Sequence, residues 1–126
     1  MKDILERART VFPYTSAMRR EFHSHPELGF QEYKTAEIIL REFSQWEGFS
    51  IQSGIAQTGI MARFVGEKPG KTILVRFDMD ALPVNEVTGA EYSSLNEGVM
   101  HGCGHDGHMA IGLTVARLLS ENCQDL

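Results

Sequence analysis

The chain has 126 residues, of which 42% are hydrophobic and 23% are charged, as in a globular protein of single-domain size. Its formal net charge of -5 disfavours nucleic acid and anionic membranes as partners, because both attract clustered Lys and Arg. No apolar run approaches the roughly 20 residues that span a bilayer, and no secretory signal is visible. Two cysteines, Cys103 and Cys123, are too few for a disulfide framework, so we expect a cytoplasmic protein.

Two helical regions are predicted in the first part of the chain. Apolar residues recur at helical spacing over residues 2–24, but Pro13 indicates a division into two shorter helices. Pro26 then disfavours helix at the preceding residue and marks a break. A second helix is predicted over residues 32–46, with an apolar stripe along one face.

Three strands, a long loop and a last helix are predicted to follow. The strands are placed at residues 50–53, 59–66 and 72–77. The short turn after the second strand predicts that the second and third strands are antiparallel neighbours. Residues 84–100 lack periodicity and are predicted to form a loop, and residues 107–122 to form a helix. Helices at both ends with a sheet between them predict the α/β class.

Residues 100–108 carry the densest chemistry in the chain. This segment holds one thiol, three imidazoles and one carboxylate, separated by glycines. Cys103 and His105 are two residues apart, so in an extended segment both side chains face the same way and suit zinc or a similar ion. His101 and His108 flank them. Asp106 has two interpretations, which remain open: an acceptor that holds a ligand histidine in one tautomer, or a cap of the last helix.

Two further polar groups lie upstream. Asp78 and Asp80 follow the apolar third strand, where carboxylates are suited to bind metal, orient a ligand histidine or tune a base. The alternative is ordinary turn chemistry before a proline. For His23 and His25, we favour packing at a helix end over metal binding.

Four motifs in the correct order carry a family resemblance. They are residues 19–32 (RREFHSHPELGFQE), 58–60 (TGI), 76–83 (RFDMDALP) and 100–108 (MHGCGHDGH). With these motifs, the chain resembles the aminoacylase/carboxypeptidase G-like metallopeptidases. The similarity is greatest to the hippurate hydrolase and indoleacetyl-amino-acid hydrolase branch of these amidohydrolases.

The resemblance implies a zinc-exopeptidase-like fold with a mixed β-sheet flanked by helices. It also implies two adjacent divalent metal ions, with zinc, manganese, cobalt and nickel not distinguished. The implied substrates are N-acyl amino acids or small peptides. By this similarity Cys103 and His105 are metal ligands, Asp80 and Asp106 are catalytic candidates, and the supporting residues are Asp78, His101 and His108.

Family members carry further catalytic elements that the sequence after His108 does not supply. These are a glutamate pair, two more histidine ligands and a smaller domain that mediates homo-oligomerisation. We therefore expect residues 1–126 to be the amino-terminal part of the catalytic domain and to be inactive alone. The alternative is a truncated, non-catalytic remnant that acts as a binding or interaction domain.

Overall fold

The computed structural model describes residues 4–122, which form three helices and one β-hairpin. In chain order the elements are α1 (Ile4–Ser24), α2 (Tyr33–Phe43), β1 (Phe49–Ile55), β2 (Gly59–Phe64) and α3 (His105–Ser120). The mixture of helices and strands agrees with the predicted α/β class. Within residues 4–122, however, the sheet has two antiparallel strands and is not mixed. No helix in this range is long and apolar enough to cross a membrane. Cys123 lies outside the described residues.

The first predicted helical region is one helix rather than two, although Pro13 lies inside it. A proline in a helix removes one backbone hydrogen bond and leaves the carbonyl four residues earlier without a partner. Here both Pro13 and Arg9 are exposed, so water can reach that carbonyl. The packing of the flanking turns, through Val11 and Met18, therefore keeps the helix continuous.

The hydrophobic core lies where the three helices meet. Its buried members come from every helix: Met18, Phe22, Ile38, Ile39, Met109, Ala110 and Leu113. Phe22 is fully buried, and burial of such a side chain contributes about 1.5–3 kcal/mol. The core thus fixes the first turns of α3 against the carboxyl end of α1.

The strand pairing differs from the prediction. β2 pairs with β1, in a register that places Phe49 opposite Phe64. Phe49 also contacts Phe43 of α2, with 5.0 Å between ring centroids, so aromatic packing joins the hairpin to the helix. Residues 72–77 are not a strand, and the side chains of Ile73 and Leu74 are 83% and 87% exposed. The third predicted strand is therefore wrong, and its predicted pairing is wrong as well, because β2 pairs with β1, the strand that packs on α2.

Two isolated bridges bring three segments together near the start of α3. Leu28 pairs in parallel with Ala81, and Leu82 pairs antiparallel with Met100. These bridges hold the segment of residues 78–82 between the chain that follows α1 and the loop that precedes α3. The polar motifs at residues 78–80 and 100–108 therefore lie side by side.

Candidate metal-binding site

The two predicted metal ligands lie on either side of a left-handed glycine. Gly104 is the N-cap residue of α3 with φ of 103°, and His105 is the first helical residue. The helix therefore begins two residues earlier than predicted, and residues 103–105 are not extended. The argument that Cys103 and His105 face one way because they alternate along a strand is wrong for this reason. Cys103 is a free, exposed cysteine, and His105 is half-buried.

The ring of His105 is held in one tautomer by Asp80. Its Nδ1 atom lies 2.9 Å from the backbone carbonyl oxygen of Asp80 and 3.0 Å from the Asp80 Oδ1 atom. Both partners accept hydrogen bonds, so Nδ1 must be the nitrogen that carries a proton. In the neutral ring Nε2 then has a free lone pair, which is the form that binds metal ions.

The ring of His108 has the opposite arrangement. Its Nδ1 atom accepts a hydrogen bond from the backbone N–H of Asp78, at 3.2 Å. In the neutral ring the proton then lies on Nε2, which donates and does not bind metal. The Asp78 Oδ2 atom is 3.5 Å from the same Nδ1, too far for a strong hydrogen bond. Asp78 and His108 thus contact each other.

Asp106 follows His105 in the first turn of α3, and its side chain is fully buried. The Oδ2 atom is 2.8 Å from Nδ1 of His23 and 3.2 Å from Nε of Arg19. Burial raises the pKa of Asp106, but the hydrogen bonds from His23 and the Gly107 backbone, with the Arg19 charge, outweigh it and leave this pKa below its usual range. Asp106 is not the cap of α3, because the N-cap residue of this helix is Gly104.

His23 also contacts Glu86, which the sequence gave no reason to select. The Nε2 atom of His23 is 3.2 Å from the Glu86 Oε1 atom, and both side chains are almost fully buried. Hydrogen bonds from the Ser94 backbone N–H and the Thr88 hydroxyl, in that order, lower the pKa of Glu86 to about 2. The loop of residues 84–100 is thereby attached to the end of α1.

A cleft of about 330 Å³ opens between the His23–Glu86 contact and the segment of residues 100–105. This segment carries both predicted metal ligands and is called the ligand loop below. The walls of the cleft include His23, Glu86, His101 and Cys103. His101 is 4% exposed, and neither ring nitrogen has a hydrogen-bond partner among residues 4–122. Burial lowers the pKa of His101, which favours the neutral ring.

The donor chemistry of this region fits part of a transition-metal site. A solvent-accessible thiol and an imidazole with a free Nε2 lone pair are both ligands that zinc and similar ions prefer. Within residues 4–122, no group of three or more His, Cys, Asp or Glu side chains is arranged to hold a metal ion. The described residues therefore do not form a complete metal site by themselves.

Of the sequence-predicted residues, the structure brings Asp80 to His105 and Asp78 to His108. His101 and Cys103 line the same cleft. The sequence prediction assigned His23 to helix-end packing, although its position inside the RREFHSHPELGFQE motif was a usable signal. Glu86 had no such signal, because a single glutamate in a loop is ordinary.

Comparisons with known proteins identify relatives of this chain. Residues 74–126 match the profile described as Peptidase family M20/M25/M40. The N-acyl-L-amino acid amidohydrolase of Geobacillus stearothermophilus is 44% identical over 110 residues, which cover 87% of this chain and 30% of the relative. This chain thus spans about a third or less of the length of the relatives that it matches.

Solved structures show the same fold. A putative aminohydrolase from methicillin-resistant Staphylococcus aureus matches 98% of this chain and 32% of its own, with a TM-score of 0.92 and 36% identity. The Bacillus subtilis YXEP protein, described as a dinuclear metal binding peptidase from the M20 family, matches 94% of this chain and 33% of its own, with a TM-score of 0.86 and 37% identity. By sequence and by fold, the chain belongs to the peptidase family M20/M25/M40.

Proposed function

We propose that this chain is the amino-terminal part of the catalytic domain of a dinuclear-metal amidohydrolase. Its substrates would be N-acyl amino acids or small peptides, which are cleaved at the amide bond. The descriptions of the similar amidohydrolase and of the similar dinuclear metal binding peptidase support this class. The observation that carries the proposal is the tautomer of His105, whose Nδ1 proton is fixed by Asp80.

Cys103 and His105 would hold one side of the metal centre. A bound divalent ion supplies positive charge that polarises an amide carbonyl and makes water more acidic. Asp80 keeps the His105 ring in the binding tautomer, as carboxylates that contact ligand histidines do. Asp106, the other catalytic candidate, would support the ligand loop from below, because its carboxylate is enclosed by His23 and Arg19.

The remaining ligands and the general base would come from residues beyond this chain. We therefore expect the isolated chain to bind divalent metal weakly and to hydrolyse no amide. Zinc, manganese, cobalt and nickel all suit a thiolate and imidazole pair to some degree. We also propose a cytoplasmic location, where the thiol stays reduced, and a homo-oligomeric parent enzyme.

Cobalt(II) titration of the chain tests the ligand assignment. A bound thiolate gives a charge-transfer absorption in the near ultraviolet, which we expect for the wild-type chain and not for Cys103→Ala or His105→Ala. Cys123→Ala is the matched control, because it removes the other thiol and should leave the absorption unchanged. Loss of the signal in Cys123→Ala but not in Cys103→Ala would contradict the assignment.

Activity assays test the proposed incompleteness separately. N-acetyl and N-benzoyl amino acids should not be turned over by the isolated chain loaded with cobalt or zinc. Turnover that disappears in Cys103→Ala would show that residues 1–126 contain a complete site. That result would support the amidohydrolase class and refute the need for ligands from elsewhere.

A further inference from the structure

His23 is a buried histidine whose two ring nitrogens both face carboxylates. Nδ1 is 2.8 Å from Asp106 Oδ2, and Nε2 is 3.2 Å from Glu86 Oε1. We propose that His23 is held as a doubly protonated imidazolium between these carboxylates, and that it is a positioning residue for the ligand loop. The role toward the ligands depends on the proposed metal site, whereas the charge state does not.

The hydrogen-bonding inventory leads to this charge state. An ionised carboxylate only accepts hydrogen bonds, and a neutral imidazole has only one N–H group. A neutral His23 could therefore donate to Asp106 or to Glu86, but its second nitrogen would direct a lone pair at the other carboxylate. Only the imidazolium donates to both, and hydrogen bonds between two charged groups are about twice as strong as neutral ones.

A protonated carboxyl group would be the other way to satisfy both contacts, and the surroundings oppose it. Glu86 accepts from the backbone N–H of Ser94 at 2.6 Å and from the Thr88 hydroxyl, and both bonds favour its ionised form. The Oδ2 atom of Asp106 accepts from Nε of Arg19 as well as from His23, and both bonds favour its ionised form. The lowered pKa of Glu86 agrees with this.

The charge around His23 also balances only when its ring is charged. The two carboxylates face it from α3 and from the loop of residues 84–100, and Arg19 of α1 supplies one positive charge to Asp106. The Tyr92 ring meets the His23 ring edge-on, with 5.5 Å between centroids, and Arg20 lies over the Tyr92 ring. An imidazolium thus provides the second positive charge for two negative ones, in a region where an unpaired buried charge is costly.

The position of this cluster links it to the ligand loop. Asp106 follows His105 directly, so fixing its carboxylate fixes the first turn of α3. Glu86 belongs to the loop that forms one wall of the cleft beside Cys103. His23 therefore joins the end of α1 both to α3 and to the loop of residues 84–100. A neutral ring has one N–H group and could donate a hydrogen bond to only one of these two segments.

Nitrogen-15 NMR of the histidine rings tests the charge state without any metal. At pH 7 we expect both His23 ring nitrogens to show imidazolium shifts and two slowly exchanging N–H protons. His25 is the matched control, because it lies two residues away and its Nδ1 atom is within hydrogen-bond distance of the Glu21 carbonyl and the Ser24 hydroxyl, neither of which is a carboxylate. A neutral His23 with one N–H group at pH 7 would overturn the proposal, whatever the chain does with cobalt.

Two variants test the positioning role. In Glu86→Gln we expect the His23 ring to lose one of its two N–H signals at pH 7, because a single carboxylate remains. In His23→Gln we expect faster hydrogen exchange at the Ser94 amide, which donates to Glu86, and no such change in His25→Gln. Unchanged exchange in His23→Gln would refute the positioning role. If that variant does not fold, the ring signals of the wild-type chain and of Glu86→Gln still decide the proposal.

Discussion

The close approach of Phe77 to α3 allows a direct test of what holds residues 78–80, the segment that carries Asp78 and Asp80. Gly112 lies on α3, and a Cβ atom added there would be 2.8 Å from both Cδ2 and Cγ of Phe77. Carbon atoms pack best at about 3.5–4.0 Å, so the ring would have to move by roughly 1 Å. Phe77 also contacts His108, with 5.3 Å between ring centroids, and precedes Asp78 in the chain.

The matched control is Gly107→Ala, on the same helix. There the added Cβ would be 3.9 Å from the nearest atoms, which belong to Arg19, so the contact is ordinary. Both substitutions gain about 0.5–1 kcal/mol of helix propensity, and this gain cancels when the two are compared. Overpacking costs about 1–3 kcal/mol, so Gly112→Ala should be less stable than Gly107→Ala by that amount.

Urea unfolding followed by the fluorescence of Trp46, the single tryptophan, measures this difference. In the Phe77→Leu background, adding Gly112→Ala should cost much less free energy of unfolding than it does in the wild-type chain, because the ring that clashes with the new Cβ atom is gone. Equal stability of Gly112→Ala and Gly107→Ala would refute the packing of Phe77 on α3. The position of residues 77–80 relative to the ligand loop would then need another explanation.

Two other predictions concern carboxylates outside the ligand loop. Glu27→Gln should destabilise the chain by about 1–2 kcal/mol in urea unfolding, because the Glu27 carboxylate accepts from the backbone N–H groups of Lys34 and Thr35 at the start of α2. Glu86 has a folded-state pKa of about 2, below its usual 4.5, so its contribution to stability is present above pH 4.5 and is lost as pH falls toward 2. Glu86→Gln should therefore flatten the loss of stability between pH 4.5 and 2, and an unchanged pH profile would contradict that contribution.

Periodicity was sufficient to locate the helices, because each has an apolar face that the core requires. It could not predict that α1 continues through Pro13, since that depends on the solvent exposure of the freed carbonyl. The pairing of β2 with β1 was also beyond local patterns. It follows from the contact of Phe49 with Phe43, which joins segments that sequence reasoning treats separately.

In the candidate site, too, some features were predictable from the sequence and others depend on the folded structure. Residue types and spacing selected Cys103 and His105, because thiol and imidazole chemistry is visible in a sequence. The tautomers of His105 and His108 were not predictable, since they depend on which atom of Asp80 or Asp78 meets each ring. The Asp106–His23–Glu86 cluster joins residues 63 and 83 positions apart, and only the folded chain brings them together.

The exposed apolar run at residues 73–75 has a consequence for handling the isolated chain. Ile73, Leu74 and Val75 are exposed and have no ladder partner in the described part of the chain, so their backbone groups are open to another copy, as at a free sheet edge. Such edges promote self-association through backbone pairing, and low local charge strengthens the tendency. Lys71 and Arg76 flank this run with positive charge, so repulsion between copies opposes stacking and is screened by salt. The shelf life of the purified chain should therefore shorten as ionic strength rises.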